Sequence, residues 1–367
     1  MKSTDIDRNG SESSPQPTAP AVDRRLSVAP MLDWTDRHDR FFLRLLSRHT
    51  LLYTEMVPAQ ALVYGDPAQS LAHSPAEHPL ALQLAGSDPE LLDRAVRIAA
   101  PHGFCEINLN VGCPSERVSK GRFGACLMAE PELVAECVSA MQAAAGPIPV
   151  TVKHRIGIDH LDSWEHLTGF VATLERAGVR TLIVHARKAW LKGLSPKENR
   201  SVPPLRHDVV HRLKREFPGL EIILNGGITD LAQAREHLCA PWGDEGLPAV
   251  DGIMIGRAAY ETPGILAGAD RQIFGSNARP DPSPHAVVRA LVPYAQAMVE
   301  AGEPVHHLTR HILGLFHGCP GARAWRRLLS TEGPKPGTGA DILLEALSRV
   351  PEDTACPPPG EPAKREQ

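Results

Sequence analysis

Cys113 stands between Gly112 and Pro114 at the end of a short apolar run, and a glycine-bearing stretch, Ser115 to Gly124, follows it as a candidate lid. A thiol with an ordinary pKa of about 8.5 is mostly protonated at neutral pH, so it can give a proton as well as attack. The other six cysteines (Cys105, Cys126, Cys137, Cys239, Cys319 and Cys356) are spread without any C-x-x-C pair and read as small buried hydrophobes. Gly318-Cys319-Pro320 repeats the tripeptide between helical segments and reads as a turn. An odd, scattered set of seven fits free thiols in a reducing compartment.

Other apolar runs also end on polar groups. Gln83, Lys153 and His185 supply an amide, a cation and an imidazole. Such a set could hydrogen-bond the edge of a flat heterocycle and stabilise negative charge on it, and a reduced flavin is such an anion. A lysine emerging from a buried strand is rarely structural unless it is paired. For Gln83 and His185 taken singly, a satisfied core polar group is an equal reading. Two further runs end on Asn225-Gly226-Gly227 and on Gly256-Arg257. Glycines there let backbone N–H groups approach a phosphate, a following helix N-terminus adds a favourable dipole, and Arg257 adds a charge-assisted contact. Tight-turn glycines are the plainer alternative for either pair alone; both pairs together favour the phosphate.

Eight short apolar runs carry these groups: Leu26 to Ala29, Leu51 to Val57, Leu80 to Leu84, Cys105 to Leu109, Ile148 to Lys153, Thr181 to His185, Glu221 to Leu224 and Gly252 to Ile255. Between them lie amphipathic stretches such as Pro89 to Ala99, Pro131 to Ala144, Ser163 to Ala177 and His207 to Phe217. Eight βα units in this length predict a (β/α)8 TIM barrel, an α/β fold whose active site lies at the C-terminal ends of its strands. A doubly wound sheet is the competing arrangement. From residue 284 onward the pattern is helical only, over His285 to Ala301, Val305 to Phe316, Arg323 to Ser330 and Gly339 to Arg349, which predicts a small all-helical C-terminal domain. Proline clusters place the boundaries: a disordered tail over 1–22, the barrel over 23–279, the helical domain over 280–350 and a second disordered tail over 351–367.

The 367 residues hold 39 Lys plus Arg against 43 Asp plus Glu, a net charge of −4, so any nucleic-acid site must be regional. No run approaches the roughly 18 apolar residues of a membrane span, which excludes a membrane protein of that kind. The first twenty residues carry no apolar core of a secretory signal, and a cytoplasmic protein is the expectation. Basic groups cluster after the sixth run (Arg187, Lys188, Lys192, Lys197, Arg200) and at Arg323, Arg326 and Arg327, which share a helical face.

The stretches APMLDWTD (29–36), INLNVGCPSERVSKGRFGACLM (107–128), TVKHRIGID (151–159), VHARKAWLKGLSPKENR (184–200), ILNGGITD (223–230), GIMIGRAAY (252–260) and HILGLFHGCPGARAWRR (311–327) occur in one order across 25–349. In these the chain resembles the tRNA-dihydrouridine synthases, and within them the DusA subfamily. The resemblance implies FMN held by Pro30, Met31, Gln83, Lys153, His185, Asn225, Gly226, Gly227, Gly256 and Arg257. It implies Cys113 as the proton donor, with the C5=C6 bond of a tRNA D-loop uridine at position 20 or 20a reduced by NADPH through that flavin. It also implies tRNA contacts at Asn110, Lys197, Arg200, Arg323 and Arg326. Without it, a solvated basic face would be the plainer reading of those cations. A uridine in folded tRNA must be extruded to reach a barrel mouth. A monomer is expected, because so large a substrate has to reach both domains.

The segment Ala240 to Ala249 is longer than the usual connection before the eighth strand, and the tails are additions; neither touches a proposed catalytic residue. Two other functions stay open on the sequence. One is an FMN barrel acting on a free pyrimidine, which needs neither the helical domain nor Arg323 and Arg326. The other is a tRNA-binding protein without redox turnover, against which Lys153 and Cys113 speak.

Overall fold

The computed structural model describes residues 22–115 and 122–352, so the expected tails over 1–22 and 351–367 lie outside the described residues except for Val22, Pro351 and Glu352. Eight parallel strands form: β1 Leu26–Val28, β2 Leu52–Pro58, β3 Leu80–Ala85, β4 Glu106–Val111, β5 Val150–Arg155, β6 Thr181–His185, β7 Glu221–Asn225 and β8 Gly252–Ile255. Each pairs with its sequence neighbour, and β8 pairs back onto β1. A parallel bridge between Ser27 and Leu51 closes the ring at β1 and β2. This is the expected TIM barrel rather than a doubly wound sheet.

Strands buried on both faces explain why the runs read as nearly continuous apolar stretches. Alternate residues point to opposite faces. The outward set packs with the surrounding helices into one large core, whereas a small separate apolar cluster (Ala29, Leu51, Tyr53, Ala81, Ile183, Ile223 and Met254) shares the barrel interior with buried polar side chains. At Gly252 a Cβ would lie 2.1 Å from the Arg24 carbonyl oxygen, so only glycine lets β8 begin against β1.

The helix Arg37–Leu46 starts at Asp36, whose side chain accepts from the His38 and Asp39 N–H groups. Asp36 also receives Arg310 Nη2 at 2.6 Å and lies 3.0 Å from His311 Nε2, while Trp34 stacks on Tyr260 at 4.3 Å. The Asp36 contacts tie the barrel to the segment just after the short helix His306–Thr309, in a C-terminal part that also holds the helices Pro284–Glu300, Ala322–Glu332 and Ile342–Leu347. Asp36→Ala is expected to cost about 2–4 kcal/mol, through a lost helix cap and lost hydrogen bonds to a charged partner, read as a lower urea midpoint at unchanged slope.

Several expectations need correction. The helix read over Val305 to Phe316 shrinks to His306–Thr309, and the rest runs as turns. A Cβ on Gly314 would lie 2.2 Å from the Glu261 carbonyl, so close backbone approach to the barrel replaces the helix there. The helix read over Gly339 to Arg349 is confined to Ile342–Leu347. Cys239 is exposed because the chain turns outward at the end of helix Leu231–Leu238, and Cys319 is disulfide-bonded rather than free. An odd cysteine count cannot exclude a single pair. No helix among the described residues is long and apolar enough to cross a membrane.

Candidate active site at the barrel mouth

The parallel register sets the polar strand ends side by side. Gln83 pairs with Asn108, Asn110 with Lys153, Arg155 with His185, and His185 with Asn225. The residues gathered from five separate runs are therefore neighbours on one rim. Pro30 and Met31, both partly buried, close it beside β1, where the Met31 N–H donates to Thr35 Oγ1 at 3.0 Å.

Strand β4 ends later than the sequence pattern indicates, at Val111, so Asn110 belongs to the strand and points inward. Its Nδ2 donates to Gln83 Oε1 at 2.9 Å, and its Oδ1 accepts from the N–H groups of Gly112 (2.9 Å) and Cys113 (3.0 Å). The Asn110 side chain thus folds the chain into the turn that presents Cys113, a partly buried free thiol. Of the expected lid, residues 116–121 lie outside the described residues, and the Cys113 carbonyl accepts from the Ala125 N–H at 2.9 Å on its far side.

Lys153 makes no hydrogen bond or ion pair with any described residue. Burial, followed by the nearby Arg155, pushes its amine down to about 8. His185 is held well below its ordinary value by burial and then by Arg155, Lys153, Arg187 and Arg257, so its imidazole is neutral at pH 7. Burial, with Arg200 and Arg187 adding to it, lowers Arg155 to about 10. Among the described residues, no carboxylate acts on Arg155, Arg187 or Arg200. The mouth therefore concentrates cations in a protein of net negative charge.

The β7 turn is built for close approach. Gly226 and Gly227 have φ of +111° and +80°, and a Cβ on them would lie 2.7 Å from His185 Cδ2 and 2.4 Å from Leu205 Cδ1. Asn225 is fixed by donating Nδ2 to the Met254 carbonyl at 2.8 Å. Arg257 follows Gly256 and donates to the Arg200 carbonyl at 3.3 Å, joining the β8 turn to the loop after β6. The helix-dipole part of the phosphate expectation is not met after β7. The next helix starts only at Leu231 and is capped by the Asp230 carboxylate, whereas after β8 a short helix, Arg257–Glu261, starts directly on Gly256.

Lys197 and Arg200 are exposed on the loop after β6. Arg323 and Arg326 are exposed on the helix Ala322–Glu332, whose opposite face buries Trp325. Both lie on a different element from Lys197 and Arg200, of which the first precedes and the second ends the short turn Glu198–Arg200, and neither of the two helical arginines bonds to a described mouth residue.

The sequence reading missed Arg155 and Asn199. Arg155 donates Nε to the Gly112 carbonyl at 2.8 Å and Nη1 to the carbonyls of Lys188 and Asn199 at 3.1 Å each. It clamps the residue before Cys113 to the β6 loop. Its spacing of two from Lys153 was the available signal, since i and i+2 share a strand face. Asn199 is fully buried and organises that loop through bonds to the Trp190 N–H and carbonyl.

A family profile described as "Dihydrouridine synthase (Dus)" matches residues 27–349. The chain belongs to the dihydrouridine synthase family. Relatives named tRNA-dihydrouridine(20/20a) synthase include those of Shewanella oneidensis, 53% identical over 90% of this chain and 96% of that protein, and of Yersinia pestis, 54% identical over 89% and 92%. The relative of that name from Escherichia coli K12 is 53% identical over 93% of this chain and 96% of its own length. Among solved structures, the old yellow enzyme homologue of Zymomonas mobilis aligns at 14% identity and TM-score 0.48, over 67% of this chain and 88% of that one.

Proposed function

We propose that this chain reduces the C5=C6 bond of a D-loop uridine in tRNA, at positions 20 and 20a, using NADPH through a bound FMN. The observation that carries this reading is the unpaired, partly buried Lys153 in a mouth of cations beside Cys113, in a chain whose relatives carry the 20/20a synthase name. The residues fit an FMN. A buried ammonium without a counter-ion suits the anionic edge of a reduced flavin, and a neutral imidazole at His185 adds a hydrogen bond at no cost in charge. The Gly226-Gly227 turn, held without side chains by its packing on His185 and Leu205 and so with its backbone N–H groups uncovered, suits the phosphate together with Arg257. Gln83, Asn225, Gly256, Pro30 and Met31 complete that set.

When bound, FMN supplies the hydride that goes to C6 of the base after its own reduction by NADPH. Cys113 supplies the proton to C5 from Sγ and is reprotonated from solvent between turnovers. Asn110 and Arg155 hold Cys113 for this: Asn110 Oδ1 gathers the N–H groups of the turn and Arg155 Nε anchors the Gly112 carbonyl. Reprotonation of the thiolate and net uptake of one proton balance the loss of hydride from NADPH.

Lys197 and Arg200 beside the mouth, with Arg323 and Arg326 on the helical segment over 280–350, hold the RNA backbone while the base is extruded. Basic groups on two different elements suit one large substrate better than a free pyrimidine. Replacing Arg323 and Arg326 together by Ala is expected to weaken tRNA binding about tenfold or more at low salt and to flatten its salt dependence by about one to two phosphate contacts. Unchanged affinity and slope would return both residues to a solvated face. The monomeric state and a cytoplasmic location belong to this same reading.

The reading is tested anaerobically. Protein reconstituted with FMN should bleach with NADPH and recover its yellow colour on adding unmodified tRNA. Recovery with free uracil or dihydroorotate-type acceptors, and not with tRNA, would replace it with a free-pyrimidine enzyme.

A further inference from the structure

The barrel interior holds an unbroken column of side chains running from its floor to Cys113. At the floor, Arg24 pairs Nε with Glu106 Oε2 at 2.6 Å and Nη1 with Glu221 at 2.9 Å. Glu106 Oε1 accepts from Thr151 Oγ1 at 2.6 Å and from Tyr53 Oη at 2.5 Å. Thr151 Oγ1 accepts from Asn108 Nδ2 at 2.8 Å, and Asn108 Oδ1 accepts from Gln83 Nε2 at 2.8 Å. Gln83 Oε1 accepts from Asn110 Nδ2, whose Oδ1 receives the backbone N–H groups of Gly112 and Cys113. Glu106, Thr151, Asn108 and Gln83 are at most 1% exposed and Asn110 is 9% exposed, so water does not compete for these bonds.

Both ends of the column fix its direction. A carboxylate can only accept, so Thr151 must give its hydroxyl proton downward; a backbone N–H can only donate, so Asn110 must turn Oδ1 upward. Between those ends only one orientation of the Asn108 and Gln83 amides satisfies every bond, and turning either one round sets donor against donor and acceptor against acceptor. The arrangement is costly to bury unless complete. Strand β4 creates it by placing Glu106, Asn108 and Asn110 at alternate, inward positions between Ile107, Leu109 and Val111. Flavin or RNA contact accounts for Gln83 and Asn110 at the top of the column but not for Asn108, Thr151 and Glu106 below them, where an apolar interior would be simpler.

We propose that Thr151 is a positioning residue for the proton donor: by linking Glu106 to Asn108 it fixes the amide directions of Asn108, Gln83 and Asn110, and so the turn that aims Cys113. The reactive-site part of this inference rests on the uridine-reduction reading above, whereas the positioning of Cys113 can be measured without it.

The test is Thr151→Val in the full-length, FMN-reconstituted protein, with Thr151→Ser as the variant that restores the hydroxyl. Re-oxidation of the reduced protein by tRNA in a single turnover should slow about tenfold or more in Thr151→Val, because small misplacements of a reacting group carry such losses. Reduction by NADPH does not use Cys113 and feels the column only through Gln83, so it should fall clearly less than re-oxidation does, and Thr151→Ser should recover most of the loss. Tyr53→Phe, which removes a bond to Glu106 without interrupting the column, should cost about threefold at most. Alkylation of Cys113 by iodoacetamide, followed by peptide mass, should change by about threefold or more in Thr151→Val and return in Thr151→Ser. Wild-type rates in Thr151→Val overturn the proposal, as do equal losses in both half-reactions, equal damage from Tyr53→Phe, or an unchanged alkylation rate. If Thr151→Val does not fold, Thr151→Ala removes the same hydroxyl and is read the same way. A wild-type protein that tRNA does not re-oxidise, in which Cys113 alkylation still responds to Thr151, refutes the uridine reading and keeps the column.

Discussion

Cys113→Ala should retain its flavin, accept hydride from NADPH at the wild-type rate, and lose tRNA reduction by about 10²- to 10⁴-fold, the usual worth of a positioned general acid. Hydride delivery to C6 places negative charge on C5 and its neighbouring carbonyl, and among the described residues at the rim that holds Cys113 the other group able to give a proton near neutral pH, Lys153, is assigned to the flavin. His185 is neutral and held far below its ordinary pKa, Arg155 is committed to three backbone carbonyls, and Asn110 spends its amide on Gln83 and the turn. Cys113→Ser should lie between the two, since a hydroxyl keeps the geometry but is a far weaker acid. Rapid-mix re-oxidation with unmodified tRNA reads the difference directly. A Cys113→Ala protein that turns over normally would remove the acid from this residue.

Lys153→Met should lower FMN affinity by about tenfold or more, because it deletes a hydrogen bond from a charged donor in a partly buried site. The same substitution should stabilise the flavin-free protein at neutral pH. Burial depresses the Lys153 amine from 10.5 to about 8, so the folded state resists the charge that the unfolded chain carries freely. The unfolded state then binds more protons between about pH 8 and 10.5, and stability of the flavin-free wild type should rise across that window. Lys153→Met should lack this rise. Thermal melts of both proteins at pH 7 and pH 10, with and without FMN, check the two effects together. A wild type whose flavin-free melting point is flat across the window, or a variant that binds FMN as well as wild type, would contradict this account of Lys153.

The barrel was legible because parallel strands buried on both faces leave apolar runs at regular intervals, and the polar residues ending those runs became neighbours through the register. Lys153 and His185 stood out for that reason. Arg155 did not, because the fifth run was ended at Lys153 while the strand continues two residues to carry a second inward cation. Asn110 was matched to RNA contact by resemblance; the structure adds that its amide holds the Cys113 turn, a role invisible without the β4 end at Val111. Thr151 and Glu106 could not be singled out from the sequence at all. Their importance lies in bonds between three strands, which no local pattern records. The irregular 310–316 segment reads as helix in the sequence because a close approach between Gly314 and Glu261 is a tertiary fact.

The central claim is best tested by incubating the purified, FMN-loaded protein with NADPH and tRNA lacking dihydrouridine, then locating any mass change by nucleoside and fragment mass analysis. The account predicts a gain of two daltons on D-loop uridine 20, 20a or both, absent without NADPH and absent in Cys113→Ala. A flavin-loaded protein that NADPH reduces but that leaves every tRNA uridine unchanged would contradict it.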